Sequence, residues 1–144
     1  MWALSKNLQP THRMTPDGPI LHVLVADDDP SMRLVLTMAF ERRGHVVTTA
    51  DDTDFARRIL AEDSPDVALI DAGMPRSGTS LWRECLETGQ PHGGALLLTG
   101  DVYALGDLAH HPAVLAKPFD FGALIARVER MGGIGESVEG EGPP

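Results

Sequence analysis

The chain has 144 residues, 42% hydrophobic and 23% charged, which is room for one ordinary domain with its own core and too little for two. Twelve Lys and Arg stand against 21 Asp and Glu, a formal net charge of −9, and that balance repels phosphate backbones and anionic lipid, so nucleic acid and membrane surfaces are poor partners. One cysteine, Cys85, excludes an internal disulfide framework and any multi-cysteine zinc site, and no apolar run nears the roughly 20 residues of a membrane span.

Residues 1–19 mix polar side chains with Pro10, Pro16 and Pro19 and show no apolar periodicity, so they read as a flexible leader. Residues 22–26 form a short apolar strand that runs into Asp27, Asp28 and Asp29. Asp29 can cap a helix with Pro30 at its first position, where a missing N–H costs nothing. Met32, Val35, Leu36, Ala39 and Phe40 share one face of that helix, and Gly44 ends it. A second strand is expected at 45–49, and a helix at 53–62 that buries Phe55, Ile59 and Leu60. The third strand, 67–70, ends at Asp71 and is followed by a short helix over 81–87. The fourth, 95–98, ends at Thr99. Residues 101–111 are only weakly helical, because Gly106 interrupts them. A last strand at 114–116 ends at Lys117 and Pro118. Asp120 then caps a helix burying Phe121, Leu124, Ile125, Val128 and Met131. Residues 132–144, rich in Gly, Glu and Pro, read as a disordered acidic tail.

Five strand–helix units in a row, with strands apolar on both faces, predict an α/β fold: a parallel five-stranded sheet with helices on each side. In such an open sheet the site lies beyond the carboxyl ends of the strands. The residues there are Asp27 and Asp28, then Asp71, Thr99 and Lys117. Taken singly, each has a plain reading. An Asp after a strand caps or turns, as Asp29 does, a Thr turns, and a Lys before Pro sits in a solvated loop. Taken together they would converge on one edge. Three carboxylates at close range repel, by about 4 kcal/mol per pair at 4 Å and an effective dielectric of 20. A hard divalent cation relieves this, and oxygen donors without His or Cys suit Mg²⁺. With Lys117 and Thr99 added, the edge can hold a phosphoryl group while one carboxylate acts as nucleophile.

Four stretches carry a family resemblance: Leu24-Val25-Ala26-Asp27-Asp28-Asp29-Pro30, Asp66-Val67-Ala68-Leu69-Ile70-Asp71-Ala72-Gly73-Met74-Pro75, Leu97-Leu98-Thr99-Gly100 and Ala116-Lys117-Pro118-Phe119. Over residues 20–131 the chain resembles the receiver domain of two-component response regulators, of the CheY-like, single-domain type. The resemblance implies a flavodoxin-like, doubly wound sheet with strand order 2-1-3-4-5. It also implies that Asp71 accepts a phosphoryl group from the phosphohistidine of a histidine kinase or phosphotransfer protein. Asp28, Asp71 and the backbone carbonyl of Gly73 would bind Mg²⁺, with Asp27 acting mainly through water on the metal. Lys117 would pair with the phosphoryl oxygens, and Thr99 would turn toward them after transfer. The chain would be a cytoplasmic phosphoprotein rather than an enzyme in the ordinary sense, signalling through a downstream protein or a phosphorelay, with room for a homodimer.

Three features depart from the usual pattern. Val114 stands where an aromatic residue normally lies three positions before the lysine, the 99–117 stretch is short, and the loop after Met74-Pro75 reaches Gly78 one residue early. The first two shift the expected conformational readout from an aromatic rotation to the 101–111 segment, with Tyr103 as its anchor. Two other readings compete. A haloacid-dehalogenase-like phosphohydrolase also uses Asp, Mg²⁺, Thr and Lys, but it wants an acidic pair after the lysine, and only Asp120 and Glu129 follow within the fold. A degenerate receiver acting as an unphosphorylated scaffold would not need Asp27, Asp28, Asp71, Thr99 and Lys117 together. His110 and His111, without an i+4 partner or Cys, read as a solvated helix end, Trp82 as partial packing, and Arg127 and Arg130 as a solvated face.

Overall fold

The computed structural model describes residues 13–15 and 18–134. The expected acidic tail beyond residue 134 and most of the expected leader (1–12, 16 and 17) lie outside the described residues. The described part of the leader holds a short antiparallel hairpin, β1 (Arg13–Thr15) with β2 (Gly18–Ile20).

The domain proper alternates strand and helix: β3 (His22–Ala26), α1 (Pro30–Arg42), β4 (Val46–Ala50), α2 (Thr53–Glu62), β5 (Val67–Asp71), α3 (Gly78–Thr88), β6 (Ala95–Thr99), a 3-10 segment (Val102–His110), β7 (Val114–Ala116) and α4 (Phe121–Met131). The five strands from β3 onward form one parallel sheet in the order β4-β3-β5-β6-β7, which is 2-1-3-4-5 counted from β3. Alternate side chains feed two cores. Leu24, Ala26, Ala68 and Ile70 pack with Ala56 and Ile59 of α2 and with Leu81, Trp82 and Cys85 of α3. Val23, Val25, Val67 and Leu69 pack with Leu36 and Phe40 of α1 and with Leu124 and Val128 of α4. Every residue of β5 is buried, as a central strand covered on both faces requires.

Register brings the strand ends level. Ala26 pairs with both Ala50 and Ile70, Asp71 with Leu98, and Thr99 with Ala116. The residues that follow β3, close β5 and β6, and follow β7 therefore share one edge.

Several local expectations differ from the structure. Phe55 is 43% exposed, its ring lying under the Arg58 guanidinium at 5.8 Å, because Ala56 takes the core-facing position of α2. Of the expected face of α1, Leu36 and Phe40 are buried, whereas Val35 is exposed. Trp82 is fully buried, since its indole N–H donates to the Ala95 carbonyl at 3.0 Å and so leaves no polar atom unpaired. The segment at 102–110 forms 3-10 turns interrupted at Gly106 (φ 60°, ψ −126°), and none of its residues is buried. Beyond the expected boundary at Met131, the Ile134 N–H donates to the Glu129 carbonyl at 2.7 Å and Ile134 packs on the core.

Candidate functional site

Asp27 prolongs β3 by one residue. Its N–H donates to the Ala50 carbonyl at 3.0 Å, and the Arg33 guanidinium donates to the Asp27 carbonyl at 2.8 Å. The side chain is thereby held inward, with the residue 1% exposed, and its Oδ1 accepts the Asp29 N–H at 2.9 Å. Asp28 is exposed beside it. Asp29 caps α1 as expected, its carboxylate accepting the Ser31 N–H at 2.9 Å.

Asp71 closes β5, and the next residue stays on the ladder through the Ala72 N–H to the Leu98 carbonyl at 2.8 Å. The loop beyond it turns tightly. Arg76 and Ser77 both lie in the left-handed region (φ 66° and 68°), a conformation costing non-glycine residues on the order of 1 kcal/mol or more each. The glycine at 78 is required by the packing, because a Cβ there would fall on the Asp71 carbonyl oxygen. Two contacts to α2 hold the loop: the buried Thr53 hydroxyl donates to the Pro75 carbonyl at 2.7 Å, and Arg76 donates to Asp54 at 2.8 Å.

The acidic residues meet at the edge. One carboxylate oxygen each from Asp27, Asp28 and Asp71 lies within 4.8 Å of the others. Lys117, placed after β7 by its N–H to the Thr99 carbonyl at 2.7 Å, sends Nζ to Asp71 Oδ1 at 3.0 Å and Asp27 Oδ2 at 3.2 Å. One lysine does not balance three carboxylates. Burial, with added repulsion from Asp27 and Asp28, holds Asp71 above the ordinary aspartate range, and the hydrogen bond from Lys117 only partly offsets this. Burial works against the Lys117 ammonium, yet its bonds to Asp71 and Asp27 carry its pKa above the usual value. Thr99 is set apart in its bonding. Its Oγ1 accepts the Asp101 N–H at 3.0 Å, although it lines the same cavity of about 420 Å³ as Asp71, Gly73 and Leu105. At Gly73 a Cβ would sit in ordinary contact with Asp71, 3.5 Å from Oδ2, so nothing there demands glycine.

Sequence reasoning missed Arg33 and Thr53, because each supports the edge through one backbone carbonyl that no motif marks. It also missed a second polar cluster at the opposite, amino edge. There Glu129 of α4 accepts from Arg43 at 2.7 and 2.9 Å and from His45 Nε2 at 2.7 Å, while His45 Nδ1 accepts the Leu21 N–H at 3.0 Å. His111 stacks edge-on against Trp82 at 5.0 Å and accepts the Ala113 N–H, which makes it a packing residue. Cys85 is inert for nucleophilic work, since burial pushes its thiol up to about 11.

Residues 23–129 match the family model described as the response regulator receiver domain. A transcriptional regulatory protein, CseB, of Streptomyces coelicolor is 33% identical over 84% of this chain and 56% of its own length. The response regulator receiver protein CpdR of Brucella abortus is 33% identical over 76% of this chain and 94% of its own. Several of the curated relatives run longer, and the chain spans about half of their length. Among solved structures, the receiver domain of a Francisella response regulator superposes with TM-score 0.67 at 28% identity, covering 78% of this chain and 96% of that one. The response regulator TrrA of Thermotoga maritima, solved with Mg²⁺-BeF, gives 0.66 at 25%, covering 77% and 98%. No described helix is long and apolar enough to cross a membrane. An acidic cluster and a lysine at the carboxyl edge of a 2-1-3-4-5 sheet, the family match over 23–129 and these relatives together place the chain in the response regulator receiver domain family of two-component signalling.

Proposed function

We propose that Asp71 is a phosphoacceptor, taking a phosphoryl group from the phosphohistidine of a histidine kinase or phosphotransfer protein in a Mg²⁺-dependent reaction. The observation that carries this reading is the set of three carboxylates within 4.8 Å, with Lys117 Nζ bonded to Asp71 and Asp27. The donor set fits the ion: it is all oxygen, carries excess negative charge and keeps one exposed member, Asp28, through which a hydrated cation can enter. Asp27, Asp28, Asp71 and the Gly73 carbonyl would hold Mg²⁺, which when bound supplies positive charge to the carboxylates and to the phosphoryl oxygens.

The chain's own residues do the rest. A carboxylate oxygen of Asp71 forms the new bond to phosphorus as the phosphorus–nitrogen bond to the donor imidazole breaks, and the nitrogen leaves with the bonding pair. No oxidation or reduction is involved. Lys117, already bonded to Asp71, stays beside the transferred group and offsets its charge. Thr99, on the wall of the adjoining cavity, can offer its hydroxyl proton to a phosphoryl oxygen. The working unit is residues 20–131, acting in the cytoplasm through a downstream protein or a phosphorelay. Incubation with a small-molecule phosphodonor and Mg²⁺ tests the reading by intact mass. One phosphoryl group should be gained by the wild type and none by Asp71→Asn, and an equal gain in both would refute it.

A further inference from the structure

The loop that follows Asp71 carries the Gly73 carbonyl, and little from outside holds it. Within residues 72–77 the Met74 N–H donates to the Asp71 carbonyl at 3.2 Å and the Ser77 N–H to the Met74 carbonyl at 3.1 Å. Gly73, Pro75, Arg76 and Ser77 are exposed, and of this stretch only Met74 is buried. Arg76 and Ser77 are both left-handed, so the loop relaxes unless something pins it. Its ion pair with α2, from Arg76 to Asp54, is exposed at both ends and contributes little. The pin is Thr53. Asp52 already caps α2 by accepting the Phe55 N–H at 2.8 Å, so the helix start makes no demand on the Thr53 hydroxyl. Thr53 is fully buried, and its Oγ1 donates to the Pro75 carbonyl at 2.7 Å across 22 residues of chain. Among the described residues it is the one side chain from another element that bonds the backbone of 72–77.

We propose, resting on the Mg²⁺-dependent phosphoacceptor reading, that Thr53 is a positioning residue for the metal: its hydroxyl fixes the loop carrying the Gly73 carbonyl, and so sets how tightly and how selectively the edge takes Mg²⁺. The path from Pro75 back to Gly73 is stiff. The proline ring fixes φ at position 75, a residue before proline has few backbone states, and Met74 is anchored by its burial. Holding the Pro75 carbonyl therefore holds the Gly73 carbonyl. Without the hydroxyl, the carbonyl of the exposed Pro75 can take water as its partner, and the strained turn at 76 and 77 relaxes. Only the fraction of molecules with the loop in place then presents every ligand, and apparent affinity falls by that fraction. Mg²⁺ demands near-ideal octahedral geometry, whereas Ca²⁺ accepts irregular oxygen shells, so the loss falls harder on Mg²⁺.

Calorimetric titration of the full chain with Mg²⁺ and with Ca²⁺ reads the effect, with Asp28→Ala as the variant that loses a ligand. Thr53→Val keeps the shape of the buried side chain and removes only the hydroxyl. It should bind Mg²⁺ about five-fold more weakly, the factor that one hydrogen bond carries, and Ca²⁺ nearly as the wild type does. Thr53→Ser should restore the preference for Mg²⁺. Thr53→Ala removes the same hydroxyl and replaces Thr53→Val if that variant does not fold. A merely structural Thr53 would lower the melting temperature in Mg²⁺-free buffer and leave the ratio of Mg²⁺ to Ca²⁺ affinities unchanged. An unchanged ratio in Thr53→Val, or a ratio lost in Thr53→Ser as well, would overturn the proposal, and so would failure of both Thr53→Val and Thr53→Ala to fold. Phosphoryl gain at Asp71 is read separately by intact mass, so the phosphoacceptor reading stands or falls on its own. No Mg²⁺ binding by the wild type would overturn both.

Discussion

Two buried carboxylates sit at opposite edges of one sheet and meet opposite fates. Burial alone would raise Glu129, but bonds from Arg43 and His45 carry it below the ordinary glutamate value. Because His45 Nδ1 accepts the Leu21 N–H, its Nε2 carries the proton and donates to Glu129, so every partner of the carboxylate is a donor. Asp71 has one donor, Lys117, which it shares with Asp27, and two like charges nearby, and it stays above its ordinary value. The amino edge is satisfied by the chain itself. The carboxyl edge remains short of positive charge, the condition under which a cation and then a phosphoryl group find a place.

That contrast can be broken in several ways. Mg²⁺ at about 100 times its dissociation constant should stabilise the fold by about 2.7 kcal/mol in thermal melts, because it binds only the assembled edge. Asp28→Ala should lose most of this gain, and an equal response in both proteins would remove Asp28 from the ligand set. Glu129→Gln should cost about 2 kcal/mol, as expected for lost bonds to a charged group, and Mg²⁺ should not restore it. The pH dependence follows from the lowered pKa of Glu129. Its contribution is present above the unfolded-state pKa and disappears as pH falls through the lower folded value, so the gap between wild type and Glu129→Gln should close in acid. Asp71→Asn in Mg²⁺-free buffer should be at least as stable as the wild type, since it removes a charge that the fold under-compensates. A large loss would mean that the Lys117 pair outweighs the repulsion. Tyr103→Ala should change stability by no more than about 0.5 kcal/mol, as for other exposed sites.

The sequence made one edge far more legible than the other. Asp27, Asp71, Thr99 and Lys117 each directly follow or end an apolar run, with Asp28 next to Asp27, so the strand pattern brought them to the carboxyl edge, and the sheet order came with the family resemblance. Glu129, His45 and Arg43 carry no such mark. They meet only because the end of α4 returns to the starts of β3 and β4, contacts 84 and 86 residues apart in the chain. Face assignments on α1 and α2 were off by a residue or two at Val35 and Phe55, where one apolar stripe can be turned either way until its partner helix is placed. The weakness of the 101–111 segment was visible in Gly106 itself, whereas its 3-10 form and the Thr99–Asp101 link were not.

The central claim is that the under-compensated carboxylate, Asp71, is the one that takes the phosphoryl group. Borohydride reduction after phosphorylation in Mg²⁺ converts an aspartyl phosphate to homoserine, which peptide mass spectrometry can place in the chain. The account predicts homoserine at position 71 and nowhere else. Homoserine at position 27 or 28, or its absence from a chain that has gained phosphoryl mass, would contradict it.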